Sequence, residues 1–227
     1  PRPALRTLAA AGARPMLTGL VARDVRKALG GGAWLPVLFF LLIATIVPFA
    51  VGPDAELLGR IGSGAMWIAA LTAALLPLER LVEPDRADGI LDQLAIRGIS
   101  GEEIALAKIV AHWLTFGPLV LLAALPASAL LGLSAESLGR TLLTLAIGTP
   151  ALAALAVAVA SLTAGLRGSS ALGGLLLLPL AVPLLIFGAA AAGAAEAGAL
   201  KLQAATALFI LVGAPFVSGA ALRALRT

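Results

Sequence analysis

The segment Glu79–Lys108, ERLVEPDRADGILDQLAIRGISGEEIALAK, is the most polar part of a strongly hydrophobic sequence. It holds seven of the chain's twelve acidic residues and four basic ones, and an apolar segment lies on each side of it. A charge at the centre of a bilayer costs roughly 2.5–3.5 kcal/mol on insertion scales. We therefore expect this segment, here called the charged loop, to lie in water between two membrane spans.

Composition places the chain among the polytopic membrane proteins. Of its 227 residues, 60% are hydrophobic and 12% are charged, whereas about 25% of the residues of a soluble domain are charged. Its long charge-free apolar segments, given below, predict an all-α fold of membrane-spanning helices. The sequence has no cysteine and one histidine, which excludes thiolate sites and multi-histidine metal sites. The basic residues flank apolar segments, which favours membrane lipid over nucleic acid as their neighbour.

Six charge-free segments are long enough to cross a hydrocarbon core of about 30 Å as helices. They are Trp34–Val51, Ile61–Leu78, Ile109–Leu131, Thr141–Leu166, Gly168–Ala195 and Leu202–Leu222. Before them, Met16–Leu29 has apolar residues at helical spacing and a basic face, which predicts an amphipathic helix in the headgroup layer. The alternative is that Met16–Leu29 is the water-exposed start of the first span. We divide the chain into an N-terminal segment, residues 1–32, and a six-helix domain, residues 33–227.

The distribution of basic residues predicts the orientation of the chain. In a six-span arrangement, thirteen of the sixteen Lys and Arg residues fall on the side of the termini and the charged loop. The opposite side holds Arg60, Arg140 and Lys201. Cytoplasmic loops of membrane proteins carry the excess of positive charge, so we expect both termini and the charged loop in the cytoplasm.

Within the charged loop the pattern predicts two helices. The first, Arg86–Ile96, carries an apolar ridge of Ile90, Leu91 and Leu94, which we expect to dock in a groove of a soluble partner. A charge in this ridge, as in Leu91→Asp, is expected to uncouple the partner while leaving membrane insertion intact. Gly98 ends the helix, and Ser100 with Glu103 forms a capping box for a second helix that continues into the third span. The alternative is a solvated loop with ordinary helix caps.

The sequence lacks the chemistry of an autonomous pump. No predicted span has an acidic or basic residue in its interior, which argues against ion-coupled transport. No GxxxxGK[ST] phosphate loop is present, so the chain is not expected to hydrolyse ATP or to be an enzyme. Energy must therefore come from a partner, and the charged loop is the surface available to receive it.

Four residues at the ends of the second and third spans are candidate gate or interface positions. Glu79 and Arg80 end the second span, where Arg80 either extends to the headgroup layer or pairs with a neighbouring helix. His112 and Trp113 begin the third span at the expected membrane interface. A single histidine suggests a haem ligand, but a structural role is favoured here. We expect no cofactor bound by this chain.

Several stretches resemble the haem exporter protein B family of cytochrome c maturation, CcmB, which belongs to the ABC-2-type permeases. The matching stretches are Val51–Leu81, Asp88–Leu94 (DGILDQL), Leu106–Trp113 (LAKIVAHW), Ile147–Leu155, Gly165–Ala189 and the C-terminal ALRALR. A DG-x-L-[DE]-x-L loop is shared by the broader permease class, whereas LPLAVPLLIFGA together with AHW is more specific. Where these permeases usually have a proline after the loop helix, this chain has Arg97-Gly98-Ile99-Ser100.

The resemblance implies a permease subunit in the bacterial inner membrane, with haem as a possible substrate. It implies an ATP-binding CcmA-like ATPase subunit, CcmC- and CcmD-like haem-handling membrane subunits and, indirectly, a CcmE-like periplasmic haem chaperone as partners. It also places Glu79 and Arg80 at the gate end of the second span and makes Asp88–Leu94 the helix that couples to the ATPase. The coupling residues implied in this way are Asp88, Gly89, Ile90, Leu91, Asp92 and Leu94.

Two other classes of function stay open. The chain could be a scaffold that anchors the ATPase and the haem-handling subunits without transporting anything. It could also be an ABC-2 exporter of another hydrophobic substrate, such as a lipid or a drug. A membrane-embedded enzyme is disfavoured, because the predicted spans contain no constellation of catalytic polar residues.

Overall fold

A computed structural model describes residues 3–32, 34–193 and 197–225, and the regular structure in these ranges is entirely helical. The helices are α1 (Pro3–Gly30), α2 (Leu35–Val51), α3 (Ala55–Leu75), α4 (Leu78–Leu81), α5 (Glu83–Ala87), α6 (Ile90–Ile96), α7 (Gly101–Leu130), α8 (Ala135–Thr163), α9 (Ser169–Gly193) and α10 (Ala197–Ala224). The predicted all-α fold is confirmed. Ala194 and Ala195, the end of the predicted fifth span, lie outside the described residues.

By length and composition, five helices of the described ranges can cross a membrane: α3, α7, α8, α9 and α10. A sixth span exists if Met16–Gly30 and Leu35–Val51, which meet at a bend of 55°, act together as one broken span. Helix α2 alone has 17 residues, a length of about 26 Å. The predicted first span, Trp34–Val51, is therefore shorter than an average hydrocarbon core of about 30 Å.

Helix α1 is longer than the predicted amphipathic helix and uses its apolar face for packing within the chain. Leu20 is buried, and Leu17 and Val21 pack against the core. The neighbour of α1 is α7, the helix that follows the charged loop. An interfacial position for α1 stays a prediction.

Helix α8 forms the centre of the bundle and contacts α3, α7, α9 and α10. Every residue from Ala151 to Ala160 in α8 is buried, so the small side chains of this run serve close helix packing. Trp67 of α3 is fully buried between two glycines of other helices. A Cβ atom built at Gly148 of α8 would lie 2.1 Å from its ring, and one at Gly188 of α9 would lie 2.3 Å from it. The two glycines thus create the space for the largest side chain of the core.

Neutral polar side chains connect three helices inside the bundle. The indole Nε1 of Trp67 donates to Thr144 Oγ1 over 3.1 Å, and Gln203 Nε2 of α10 donates to the Thr144 carbonyl over 2.6 Å. The hydroxyls of Ser63 and Thr141 lie 2.9 Å apart. Interhelical hydrogen bonds of this kind contribute about 0.6 kcal/mol each in membrane bundles. This cluster of neutral polar side chains was not predicted from the sequence, because its members lie far apart along the chain.

The charged loop contains three short helices, α4, α5 and α6, followed by the start of α7. The sequence predicted one helix, Arg86–Ile96, before the helix that continues into the third span. The predicted helix Arg86–Ile96 is interrupted after Ala87, because Gly89 has a φ of +68° and begins α6 in the left-handed conformation that glycine tolerates. The capping box is confirmed. Ser100 Oγ accepts from the Glu103 backbone over 3.2 Å, and Glu103 Oε2 accepts from the Ser100 backbone over 2.8 Å. From there α7 continues without interruption to Leu130.

We predict that Gly148→Ala destabilises the protein by about 1–3 kcal/mol, the usual cost of overpacking a core, because the new methyl group would overlap the Trp67 ring. The matched control is Gly139→Ala in the same helix, where an added Cβ meets no atom within 4 Å. Thermal unfolding of both variants in detergent measures the difference. Equal melting temperatures for the two variants would contradict the packing described here.

Candidate functional site

An ion-pair cluster lies where the charged loop meets α1 and α7. Asp85 Oδ2 of α5 accepts from Arg23 Nη2 over 2.5 Å and from Lys108 Nζ over 2.6 Å. Lys27 Nζ lies 3.5 Å from Asp85 Oδ1, and Asp24 Oδ2 accepts from Lys108 over 3.3 Å. We call these five residues the charge cluster. It joins the N-terminal helix, the loop and the helix that follows the loop.

The charge cluster corrects the expectation that the whole charged loop lies in water. Asp85 is 3% exposed and Lys108 is 4% exposed, so both ions are enclosed by protein. We expected Lys108 at the water-exposed end of the loop, but α7 begins at Gly101 and carries it into the bundle on a face shared with Ile104 and Ala111. A buried ion needs a counter-ion, and Asp85 supplies it because the short helix α5 brings its carboxylate against α7.

The electrostatic state of Asp85 follows from two opposing effects. Burial alone would raise the pKa of the Asp85 carboxyl, because it disfavours the charged form. The adjacent Lys108 ammonium and Arg23 guanidinium outweigh burial and hold this pKa below its ordinary value. Asp85 is therefore ionised at neutral pH and stays paired with both cations.

A cavity of about 380 Å³ adjoins the charge cluster. It is bounded by the segment between α1 and α2, by the break between α3 and α4, by α5 and by α7. The lining residues are Asp24, Lys27, Ala28, Gly31, Gly32, Pro36, Pro77, Arg80, Leu81, Pro84, Asp85, Lys108, Ala111, His112, Thr115 and Phe116. Lys27 and Arg80 are exposed, whereas His112 and Phe116 are buried. The cavity thus has a basic, accessible end and an enclosed end.

His112 lies at the enclosed end of the cavity, and its position at the membrane interface stays a prediction. It is 4% exposed, and its ring stacks on Phe116 with 5.0 Å between centroids. It hydrogen-bonds to the backbone of Ala74, in the last turn of α3, where carbonyl groups lack intrahelical donors. Among the described atoms its Nε2 has no hydrogen-bond partner. The neighbouring Trp113 is half-buried and donates to Thr149 Oγ1 of α8 over 3.2 Å.

The two candidate residues at the end of the second span point to different neighbours. Arg80 of α4 donates to the carbonyl of Gly31 over 2.5 Å and so contacts the segment between α1 and α2. The two roles considered for Arg80, extension to the headgroup layer or pairing with a neighbouring helix, stay predictions. Glu79 is exposed and lies near Ser169 and the end of α8. Glu79 and Arg80 therefore do not form one site. Of the two, Arg80 lines the cavity and Glu79 does not.

The orientation of α6 corrects the predicted docking ridge. Leu91 is 2% exposed and Leu94 is 8% exposed, and both belong to the core of this chain. The apolar ridge exists as the spacing predicts, but it packs inward because α6 has the bundle beside it. The surface that α6 presents consists of Asp92, Gln93 and Ile96, and Ile96 is 86% exposed. Asp88, just before α6, is also exposed, and Gly89 and Ile90 are half-buried.

Two further contacts tie this end of the molecule together. Glu83 Oε2 accepts from the backbone of Gly165, in the turn between α8 and α9, over 2.8 Å, and Glu83 also pairs with Arg86. The hydrogen bond from Arg86 is the main reason that the pKa of the Glu83 carboxyl is lowered. Glu102 at the start of α7 pairs with Arg223 at the end of α10. The charged loop and the start of α7 are thus bonded to the turn between α8 and α9 and to α10.

Comparison with known proteins matches residues 15–225 to the family described as "CcmB protein". The chain belongs to the CcmB family. Similar curated proteins, each called Heme exporter protein B, include that of Bradyrhizobium diazoefficiens, 41% identical over 91% of this chain and 97% of the relative. The protein of Paracoccus denitrificans is 42% identical over 91% of this chain and 98% of the relative. The protein of Rhodobacter capsulatus is 48% identical over 76% of this chain and 80% of the relative. The resemblance seen in the sequence is therefore confirmed, and this CcmB-family chain is a multi-pass membrane protein.

We predict that Asp85→Asn lowers the free energy of unfolding by about 3–5 kcal/mol, because it leaves Lys108 buried without a full counter-charge. The matched control is Asp88→Asn in the same loop, where the carboxylate is exposed. Thermal or denaturant unfolding of the purified variants measures the difference. A double variant, Asp85→Leu with Lys108→Met, is expected to regain most of the lost stability. An Asp85→Asn variant as stable as Asp88→Asn would contradict the role given to the charge cluster.

The lowered pKa of Asp85 predicts an acid-labile contribution to stability. An unfolded aspartate titrates near a pKa of about 3.9, and the folded value is lower. The stabilisation is then complete above this ordinary value and is lost as the pH falls towards and through the folded value. Melting temperatures measured down the acid range should fall more steeply for the parent protein than for Asp85→Asn. Parallel curves would contradict this assignment.

Proposed function

We propose that this chain is the permease subunit of an ABC transporter complex that exports or delivers haem during cytochrome c maturation. The observation that carries the proposal is its similarity, over nearly the whole chain, to proteins called Heme exporter protein B. The expected partners are a CcmA-like ATPase that binds and hydrolyses ATP, CcmC- and CcmD-like membrane subunits and a CcmE-like haem chaperone. This chain supplies no ATP-hydrolysing residues of its own.

The distribution of basic residues supports an orientation for this complex. In the bacterial inner membrane, both termini and the charged loop would face the cytoplasm, where an ATPase subunit has access to ATP. The exposed face of α6 is then the surface offered to the ATPase, together with Asp88 before it. Ile96 is the apolar residue at the centre of this surface, flanked by Gln93 and Arg97. It takes the docking role that the sequence analysis gave to Leu91 and Leu94.

The charge cluster suggests how motion of the partner reaches the spans. When the ATPase displaces α6, α5 moves with it, because one glycine turn separates the two helices. Asp85 of α5 is paired with Arg23 of α1 and Lys108 of α7, so both helices experience the displacement. A buried ion pair resists separation, since neither ion can be left alone in a medium of low dielectric. Tilting of α7 would then open or close the route for the substrate.

The proposed function is tested by purifying the protein from its native membrane in mild detergent. Mass spectrometry then identifies every co-purifying chain. Recovery of an ATP-binding subunit together with haem-handling membrane proteins is the expected result. Recovery of an ATPase without them, and normal c-type cytochromes in a strain lacking this protein, would favour an exporter of another hydrophobic substrate. Release of the haem chaperone on ATP addition, without haem passing through reconstituted vesicles, would favour a scaffold. Absence of any ATPase would overturn the proposal.

We predict that Ile96→Asp weakens association with the ATPase subunit at least tenfold, because it places a charge in an exposed apolar contact. The protein itself should accumulate and unfold normally, since Ile96 is 86% exposed. Leu91→Asp is the informative comparison: it should reduce the amount of folded protein, because it buries a charge in the core. Pull-down of the ATPase and melting temperature are measured on both variants. Normal ATPase binding by Ile96→Asp would exclude this docking surface.

A further inference from the structure

The cavity between α1, α2, α4 and α7 has a basic entrance and an enclosed end, and the proposed coupling to the ATPase requires neither. Its accessible end carries Lys27 and Arg80, and its enclosed end is formed by Phe116, Ala111 and His112. A volume of about 380 Å³ is within the range of small-molecule sites, about 300–1,000 Å³. A basic entrance leading to an apolar interior is the arrangement that accommodates a molecule with an acidic group and an apolar body.

The charges around the cavity do not cancel. In the charge cluster, the carboxylates of Asp24 and Asp85 face three cations, those of Arg23, Lys27 and Lys108. Arg80 adds a fourth cation, and within the described ranges its contact is with the neutral carbonyl of Gly31 and with no carboxylate. The charge cluster and Arg80 together thus carry two more positive than negative charges, and Lys27 and Arg80 are the exposed cations that line the cavity. An anion bound there would be held by charge-assisted hydrogen bonds.

His112 adds a polar atom that the described residues do not satisfy. Because Nε2 has no hydrogen-bond partner among them, the bond of the ring to the Ala74 backbone is assigned to Nδ1, whose proton is donated to the carbonyl. The lone pair of the neutral imidazole is then on Nε2. A buried polar atom without a partner costs about 1–3 kcal/mol. A bound molecule that offers a donor or a metal atom at this position would remove the cost.

We propose that this cavity binds an amphipathic anion, with its acidic group between Lys27 and Arg80 and its apolar body directed towards Phe116. Two molecules share this chemistry in the environment of the protein. One is an anionic membrane phospholipid; the other, which rests on the proposed function, is haem, with two carboxylates on an apolar ring. The enclosed end distinguishes them, since an imidazole Nε2 with a lone pair can ligate iron, whereas a phospholipid brings only oxygen groups.

The test uses the full chain in nanodiscs of phosphatidylcholine, titrated separately with ferric haem, followed by its Soret absorbance, and with phosphatidylglycerol. Lys27→Ala/Arg80→Ala should weaken binding of the ligand at least tenfold. The charge-conserving variant Lys27→Arg/Arg80→Lys should bind like the parent protein, which separates charge from folding. The matched control is Arg60→Ala/Lys201→Ala, which removes one arginine and one lysine that are exposed away from the cavity.

Each outcome identifies or excludes a ligand. Weakened haem binding with a Soret band that shifts in His112→Ala supports haem at this site. Weakened phosphatidylglycerol binding, with haem binding unchanged or absent, supports the phospholipid and leaves the permease function intact. Equal affinities of the Lys27→Ala/Arg80→Ala variant and the matched control for both ligands would overturn the proposal. Because the partners are tested separately by co-purification, failure here is distinguishable from failure of the proposed function.

Discussion

The pairing of Asp85 with Lys108 and Arg23 is the interaction on which the organisation of this molecule depends. A lysine and an aspartate that are each less than 5% exposed are stable as ions only beside each other. Their pairing fixes the position of α5 against α7, and the bond to Arg23 fixes α1 against both. An apolar contact at the same place would hold the helices together but would allow them to slide. We therefore expect the ion pairs to hold these helices in one register.

This constraint also accounts for the cavity. Helix α1 is held at its Arg23–Lys27 turn, while the chain bends by 55° before α2 begins at Leu35. Helix α3 ends at Leu75, and Pro77, which lacks a backbone donor, keeps α4 from continuing it. Two interrupted helices therefore meet beside α7 without filling the space between them. The same arrangement of helices therefore produces both the charge cluster and the cavity.

The sequence predicted those parts of the fold that depend on local pattern. Apolar length indicated the spans, and the Ser100–Glu103 capping box and Gly98 indicated where α7 begins, because caps are formed by residues three or four positions apart. Burial of Lys108 could not be predicted in this way, since its counter-ions lie 23 and 84 positions away. A signal was present: Lys108 follows Ile104 by one helical turn within an apolar run. Only the position of Asp85 shows that such a lysine can be buried.

The orientation of α6 illustrates a second limit, and it bears on function. Ile90, Leu91 and Leu94 form an apolar ridge whether the helix packs on its own bundle or on a partner, because helical periodicity records burial and not the identity of the neighbour. Leu91 and Leu94 are buried in the core of the chain, and in the proposed coupling this anchoring would let the loop transmit a displacement. If these leucines were instead left free for the partner, they would not anchor the loop to the bundle. A displacement by the partner would then move the loop without moving the helices. In the coupling proposed here, a loop anchored by Leu91, Leu94 and Asp85 would move α1 and α7 when the partner displaces Ile96.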